Sequence, residues 1–252
     1  MTGFRQKVLS GDRQLGVGAM LGSSMIVELI GATGFDWAWL DLEHGIGGKT
    51  ELFHQIQAAA IHATPAVVRM PNHDPQYIRE ALDMGAAGIM APHVRNADEA
   101  RAVVAAMRYP PEGVRGAAQS TRAALFGLAF DDYAARANTD LLCVVQIESR
   151  EGAANAREIA AVEGVDVLFI GPVDLSVDLG QPKAFSTPQF EAVLDAVLEA
   201  CRAHGKTAGI LAPGHDLALA WQARGFPFMV VGSDGGMIAR GLAALRETWR
   251  EA

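Results

Sequence analysis

Short apolar runs alternate along the chain with longer stretches in which apolar residues recur every three or four positions. The runs are Gly16–Leu21, Trp37–Asp41, Ala66–Arg69, Gly88–Ala91, Leu142–Ile147, Val167–Ile170, Ala208–Leu211 and Phe228–Val231. Between them, segments such as Asn96–Met107, Gly152–Ala160 and Gln189–His204 carry the helical period. Runs that are apolar almost throughout belong to strands buried on both faces, as in a parallel sheet covered by helices. Eight such cycles in 252 residues predict an α/β fold, a closed (β/α)8 TIM barrel forming one domain over residues 1–252. The alternative is an open doubly wound sheet. It is disfavoured because no G-x-G-x-x-G turn follows the first run.

Two segments stand outside this rhythm. Between Ala91 and Leu142 the chain makes the helix Asn96–Met107, then Tyr109–Gly113 (YPPEG), an Ala-rich stretch to about Phe126 and a short helix near Asp131–Ala137. A long insertion after a strand is expected on the active-site face. The C-terminal segment Met237–Glu251 reads as a last helix, packing on this barrel or on a neighbour.

Charge and composition narrow the class. The net charge of −8 and the lack of a basic stripe argue against nucleic acid as partner. They leave an anionic substrate open, because a metal and one or two arginines reverse a local field. No apolar run is long enough for a membrane span, and Met1–Leu15 has no apolar signal core, so a cytoplasmic location is expected. Cys143 and Cys201 show no metal spacing and read as reduced, structural thiols.

In a barrel of this kind the active site lies at the C-terminal ends of the strands. The residues there are Asp41-Leu42-Glu43-His44, Arg69, Pro92-His93, Gln146-Ile147-Glu148, Gly171-Pro172-Val173-Asp174, Leu211-Ala212-Pro213-Gly214 and Gly232–Gly236. Glu148 and Asp174 stand one βα unit apart, at the ends of neighbouring strands. Two converging carboxylates repel unless one stays protonated or a cation sits between them. Oxygen ligands suit Mg²⁺, Mn²⁺ or Co²⁺. The alternative is that each acid caps the helix that follows it. His44, beside Asp41 and Glu43, is a candidate base whose tautomer and basicity a carboxylate would set. Alternatively, Asp41 or Glu43 caps the helix Lys49–His62 and His44 is plain loop. Arg69 must be paired or bind an anion. It either forms a salt bridge to Asp41 or Glu43 or clamps a developing enolate oxygen. His54, His62 and His204 fall in helical patterns, His73 lies in a loop, and nothing specifies a role for His93. Gly232–Gly236 reads as a phosphate loop or as a tight strand-to-helix turn.

Lysine decides between two carbanion strategies. Only Lys7, Lys49, Lys183 and Lys206 occur, and none ends a strand. This disfavours a Schiff base and favours a metal-stabilised enolate, with no organic cofactor.

The stretches Phe35–Gly45 (FDWAWLDLEHG), Val68–Pro75 (VRMPNHDP), Ala81–Pro92 (ALDMGAAGIMAP), Tyr109–Gly116 (YPPEGVRG), Val145–Glu148 (VQIE) and Phe169–Ser176 (FIGPVDLS) resemble the HpcH/HpaI family. These are class II pyruvate aldolases acting on 4-hydroxy-2-oxo acids, including 4-hydroxy-2-oxo-heptanedioate and 2-keto-3-deoxy sugar acids. The resemblance implies a barrel of the phosphoenolpyruvate/pyruvate type. It implies divalent-metal-dependent cleavage to pyruvate, or hydroxypyruvate, plus an aldehyde. It further implies Glu148 and Asp174 as metal ligands, His44 as base, Arg69 as transition-state stabiliser and Gln146 as a pyruvate contact. The Gly171-Pro172-Val173 turn and Leu211 would complete the substrate pocket, with the Val173 backbone N–H on the carboxylate. Val173 departs from the small residue usual there. Asp83 matches an acid that raises the histidine's basicity, although it lies in the helix before the fourth strand. The resemblance accounts for this through a homo-oligomer, a hexameric trimer of dimers with exchanged C-terminal helices, in which a neighbour's acid completes the site. Three other readings stay open: an oxaloacetate decarboxylase using the same enolate, a coenzyme A thioester lyase of the citrate-lyase type, and a non-catalytic 2-oxo-acid-binding barrel.

Overall fold

In the computed structural model, which describes residues 3–250, eight parallel strands close into a barrel in sequential order. They are β1 (Gln14–Ala19), β2 (Trp37–Asp41), β3 (Ala66–Arg69), β4 (Gly88–Ala91), β5 (Leu142–Ile147), β6 (Val167–Ile170), β7 (Thr207–Leu211) and β8 (Phe228–Ser233). Five of the expected bounds are matched residue for residue. β1 starts two residues early, and β8 runs on through Gly232 and Ser233, which shortens the Gly-rich turn. The helices are α1 (Phe4–Leu9), α2 (Ser24–Ala32), α3 (Lys49–Ile61), α4 (Pro75–Met84), α5 (Ala97–Met107), α6 (Phe130–Asp140), α7 (Arg150–Ala154), α8 (Ala156–Ala160), α9 (Pro172–Asp178), α10 (Pro188–His204), α11 (His215–Arg224) and α12 (Asp234–Arg250). The expected helix over Gly152–Ala160 is broken at Asn155 into α7 and α8. Side-chain caps set several starts: Asp74 accepts from the Gln76 N–H, Asn96 from Glu99, and Thr187 from Phe190.

Strand alternation divides the apolar residues into two cores. One faces the helices. The other fills the barrel with Trp37, Trp39, Val67, Met90, Val144, Val167, Phe169, Phe228 and Val230. Trp37 stacks on Phe228 at 4.3 Å, and Phe169 meets Phe228 edge-on at 6.2 Å. These rings fit because Gly16 and Gly209 face them; a Cβ at Gly16 would fall inside the Trp37 indole. From below, α1 inserts Phe4 and Val8 into the same core. Its Arg5 pairs with buried Asp166, through Nε and Nη2 at 2.8 Å each.

The long segment between α5 and α6 lies where the sequence reading did not put it. The Ala123 N–H donates to the Asp83 carbonyl, and Arg122 Nη1 donates to the Met84 carbonyl. Both carbonyls belong to the end of α4, beside the start of β4. The insertion therefore packs at the N-terminal ends of the strands, opposite the expected active-site face. The reason is that α5 first carries the chain back down the barrel. Val114, Phe126 and Leu128 are exposed there, and Leu125 and Phe126 hold left-handed backbone angles.

The last helix also departs from a closed ring. Asp234 is buried, but every residue of α12 from Met237 onward is exposed. Ile238, Leu242, Leu245 and Trp249 share a face at helical spacing and stay exposed among the described residues. Among the described residues no helix is long and apolar enough to cross a membrane.

Within the barrel strands the tightest backbone approach is at Gly88, where a Cβ would land on the Leu142 carbonyl of the neighbouring strand. A backbone atom in a barrel staggers poorly. Gly88→Ala is expected to destabilise the protein by about 1–3 kcal/mol, measured as a lowered thermal midpoint. An unchanged midpoint would show that β4 and β5 can separate at no cost.

Candidate active site

Strand parity places the polar residues. The inward positions of β2 are Trp37 and Trp39, so Asp41 also points inward. By the same count Arg69, Gln146 and Glu148 continue the inward rows of β3 and β5. Asp41 and Arg69 are direct register partners. Ile147 pairs with Ile170, which sets Glu148 beside Gly171 on the next strand.

Arg69 is almost wholly buried. It donates through Nε to Asp41 Oδ1 at 2.8 Å and through Nη2 to Oδ2 at 2.6 Å, a bidentate pair. Its Nη1 lies 3.0 Å from Glu43 Oε2, and its guanidinium rests 4.4 Å over the Trp39 ring. The salt-bridge alternative for Arg69 is thus realised with both acids, and it leaves the guanidinium on the pocket wall. Asp41 Oδ1 also accepts the backbone N–H groups of Glu43 (3.0 Å) and His44 (3.4 Å). This corrects the expectation that Asp41 sets the His44 tautomer. Its carboxylate is taken by Arg69 and the loop backbone, and no side-chain hydrogen bond reaches the His44 imidazole among the described residues.

Across the mouth, Glu148 is 2% exposed. Gln146 Nε2 donates to its Oε2 at 3.1 Å, and the His93 backbone N–H to its Oε1 at 2.7 Å. Burial raises its pKa to about 7, and the nearby Glu43 and Asp174 charges add to that, against a lowering by His93. Gly171 is needed here, since a Cβ would fall on Glu148 Oε2. Asp174 occupies the first turn of α9 and lines the same pocket, with no side-chain partner among the described residues. The carboxylate pair therefore shares one cavity. The tighter cluster, however, joins Glu148 to Glu43 and His93, whose ligand atoms lie within 4.8 Å of one another. Neither Glu43 nor His93 was assigned to a metal from sequence. The signal was that both directly follow strand ends.

The pocket is about 910 Å³ and brings together His44, Arg69, Gln146, Glu148, Gly171, Pro172, Val173, Asp174 and Leu211. It also takes in His215 and Arg240, which sequence reasoning passed over. No lysine lines it. Lys206 instead holds the Val162 and Val165 carbonyls, and Lys49 pairs with Glu80. The pocket runs on to Leu15, Ala218, Leu219 and Gln222, along the outside of the barrel that α12 leaves uncovered. Asp83 is elsewhere. It accepts from Arg115 Nη2 at 2.7 Å at the far end of the barrel, where Arg115 is enclosed by Tyr109 and Tyr133. The Gly232–Gly236 segment behaves as a turn. Asp234 accepts the N–H groups of Met20, Leu21 and Gly235, so a carboxylate of the chain itself occupies the donors a phosphate would need.

The donor set fits a hard divalent cation. It offers a buried carboxylate that keeps its proton to about pH 7 without one. A second carboxylate, Asp174, has no side-chain partner among the described residues. A buried amide oxygen, Gln146 Oε1, has no hydrogen-bond partner among the described residues, and Gln146 lines the same pocket.

Known proteins resemble this chain in sequence and in fold. A family model described as HpcH/HpaI aldolase/citrate lyase matches residues 19–240. The chain is similar to the hydroxypyruvate/pyruvate aldolase of Chromohalobacter salexigens, 42% identical over 90% of this chain and 89% of that protein. It is also similar to the 5-keto-4-deoxy-D-glucarate aldolase of Salmonella arizonae, 38% identical over 98% and 96%. A crystal structure of an HpcH/HpaI aldolase/citrate lyase family protein from Burkholderia cenocepacia superposes with a TM-score of 0.94 at 32% identity, over 99% of this chain and all of that one.

Glu148 makes stability depend on pH. Its raised pKa means that the stability tied to its protonated form is full below about pH 4.5 and is lost as pH rises through about 7. The loss is on the order of 3 kcal/mol. In chelator, Glu148→Gln should therefore gain thermal stability over the parent between pH 5 and pH 8. A difference in melting temperature that does not change with pH would contradict the burial argument.

Proposed function

Because the chain belongs to the HpcH/HpaI aldolase/citrate lyase family, we propose that it is a class II aldolase that cleaves and forms 4-hydroxy-2-oxo acids at the β2–β6 mouth. Pyruvate or hydroxypyruvate is the donor product and an aldehyde the acceptor. The observation that carries the reading is the buried Glu148 carboxylate, set beside Asp174 and facing Arg69 across one pocket that no lysine lines.

Glu148 and Asp174 would hold the divalent ion, with Mg²⁺, Mn²⁺ and Co²⁺ as candidates. When bound, it supplies Lewis-acid polarisation of the 2-oxo acid. The rest is done by the chain's own residues. The N–H of Val173, in the first turn of α9, has no partner within the helix and is available to the substrate carboxylate. Gln146 contacts the pyruvate part of the substrate and holds Glu148 in place through its Nε2. His44 removes the proton from the substrate's 4-hydroxyl. As the C4–O bond becomes a carbonyl, the C3–C4 bond breaks and its electron pair passes into the C2–C3 enolate. Arg69, resting on the Trp39 ring, stabilises the negative charge on the enolate oxygen at C2. A proton then returns to C3 and pyruvate forms. Asp41 acts through Arg69 and the Glu43-His44 backbone, which it fixes. Leu211 and Val173 shape the pocket where the acceptor chain would lie.

The assembly reading is a homo-oligomer, a trimer of dimers, in a cytoplasmic setting. It is supported by the bare apolar face of α12 and by the uncovered groove beside α11, which would suit the same helix from a second copy. In such an assembly a neighbour's Asp83 would approach the mouth. The two buried, unpaired cysteines agree with a reducing compartment.

A screen of 4-hydroxy-2-oxo acids, read by pyruvate release, should show activity that chelator abolishes and divalent metal restores. Arg69→Ala should lose about 10²–10³-fold in kcat, the scale of one missing oxyanion donor. Inactivation by borohydride with pyruvate would overturn the enolate reading. In a separate test, Leu242→Asp with Trp249→Asp should reduce the molar mass in light scattering. A parent that already runs as a monomer would reject the assembly.

A further inference from the structure

The side of the pocket away from its acids holds two donors that the proposed chemistry does not use. Ser233 ends β8, Arg240 lies in the second turn of α12, and both line the pocket. Ser233 owes its direction to a β-bulge. Val230 of β8 pairs with Gly16 of β1, but Ser233, not Gly232, pairs with Gly18. A step of two residues on β1 therefore spans three on β8, and the extra residue turns the Ser233 side chain inward. A Cβ at Gly18 would stand 3.3 Å from Trp39 Cε3 and 3.4 Å from Ser233 Cβ. Ser233 is thus placed beside the Trp39 ring, on which Arg69 rests.

Arg240 reaches the same place from α12. A Cβ at Gly236, one turn earlier, would meet Ser233 Oγ at 3.2 Å and Arg240 Nη1 at 3.4 Å. The hydroxyl and the guanidinium flank one small space that glycine leaves open. Neither has a side-chain hydrogen bond or ion pair among the described residues. Asp234, the acid that opens α12, is engaged by the N–H groups of Met20, Leu21 and Gly235.

An unpaired arginine on an exposed helix could serve a second copy of the chain. Its position on α12 argues against that. At about 100° per residue, Arg240 and Gly236 lie on the opposite side of the helix from Ile238, Leu242, Leu245 and Trp249, the stripe that suits assembly. The carboxylates that line the pocket, Glu148 and Asp174, stand at the ends of β5 and β6, across β7 from β8. Between the two sides Leu211, the register partner of Val230, gives a substrate chain an apolar path. A guanidinium and a hydroxyl at the end of such a path match a carboxylate.

We propose that Ser233 and Arg240 form the subsite for the far end of the substrate and select acceptor aldehydes that carry a carboxylate. The inference rests on the reading of this pocket as an aldolase site.

The test uses the full-length protein with Mn²⁺ and two substrates that differ in one group. One is 4-hydroxy-2-oxoheptanedioate. The other is 4-hydroxy-2-oxoheptanoate, in which a methyl replaces the far carboxylate. Pyruvate release gives kcat/KM for each, and the parent should prefer the diacid. Arg240→Met should lower the diacid-to-monoacid ratio about 10–100-fold, the scale of one hydrogen bond to a charged group. Most of the change should lie in the KM for the diacid. Ser233→Ala should lower the ratio less, and Arg240→Lys should keep part of it. A parent that cleaves both substrates equally well, or a ratio that Arg240→Met leaves unchanged, overturns the subsite. No pyruvate from either substrate overturns the aldolase reading beneath it.

Discussion

The mouth of this barrel depends on the bidentate pair between Asp41 and Arg69. A buried guanidinium must be matched by a buried acid, and the register of β2 and β3 sets the two opposite each other. The consequences spread from there. Asp41 uses its remaining capacity on the backbone of Glu43 and His44, which fixes the loop that carries the candidate base. Arg69 is pressed flat on Trp39, the top of the aromatic stack that fills the barrel. Packing of the interior and placement of the polar rim are thus parts of one arrangement.

The opposite wall is built on imbalance. Glu148 is buried without a cationic side chain to match Arg69, and Asp174 faces the same cavity. Four carboxylates (Asp41, Glu43, Glu148 and Asp174) gather at the mouth, and among the described residues Arg69 is the arginine that pairs with any of them. Only Asp41 and Glu43 are neutralised by it. Gly171 makes room for Glu148, and Gln146 and the His93 backbone aim it. That charge deficit is what makes the wall suited to the positive ligand proposed above.

The ends of the molecule are arranged differently. The α5–α6 segment and α12 carry their apolar residues outward, and the groove beside α11 opens into the pocket. Asp83 is locked to Arg115 at the far end, so any approach to a mouth must be to another copy's. The chemistry at the rim and the surfaces that suit assembly are therefore physically continuous through that groove.

Legible along the chain was a parallel sheet covered on both faces, because runs apolar throughout must be buried on both; eight such cycles without a G-x-G-x-x-G turn favoured the closed barrel over the open doubly wound sheet. The sequence by itself also determined which residues stand at the rim, since strand ends are visible as the point where apolar runs meet charge. Parity within a strand was legible too: Trp37, Trp39 and Asp41 share a face for the same reason that Val67 and Arg69 do. Only the tertiary structure decided who pairs with whom. Asp41 goes to Arg69 rather than to His44 because register, not proximity in sequence, brings side chains together. His93 reaches Glu148 at the end of the adjacent strand through a left-handed turn that no local pattern announces. The long insertion lies at the opposite end because α5 reverses the chain before it begins. Pairing across strands and the direction of a returning helix are properties of three-dimensional closure, and no window along the chain contains them.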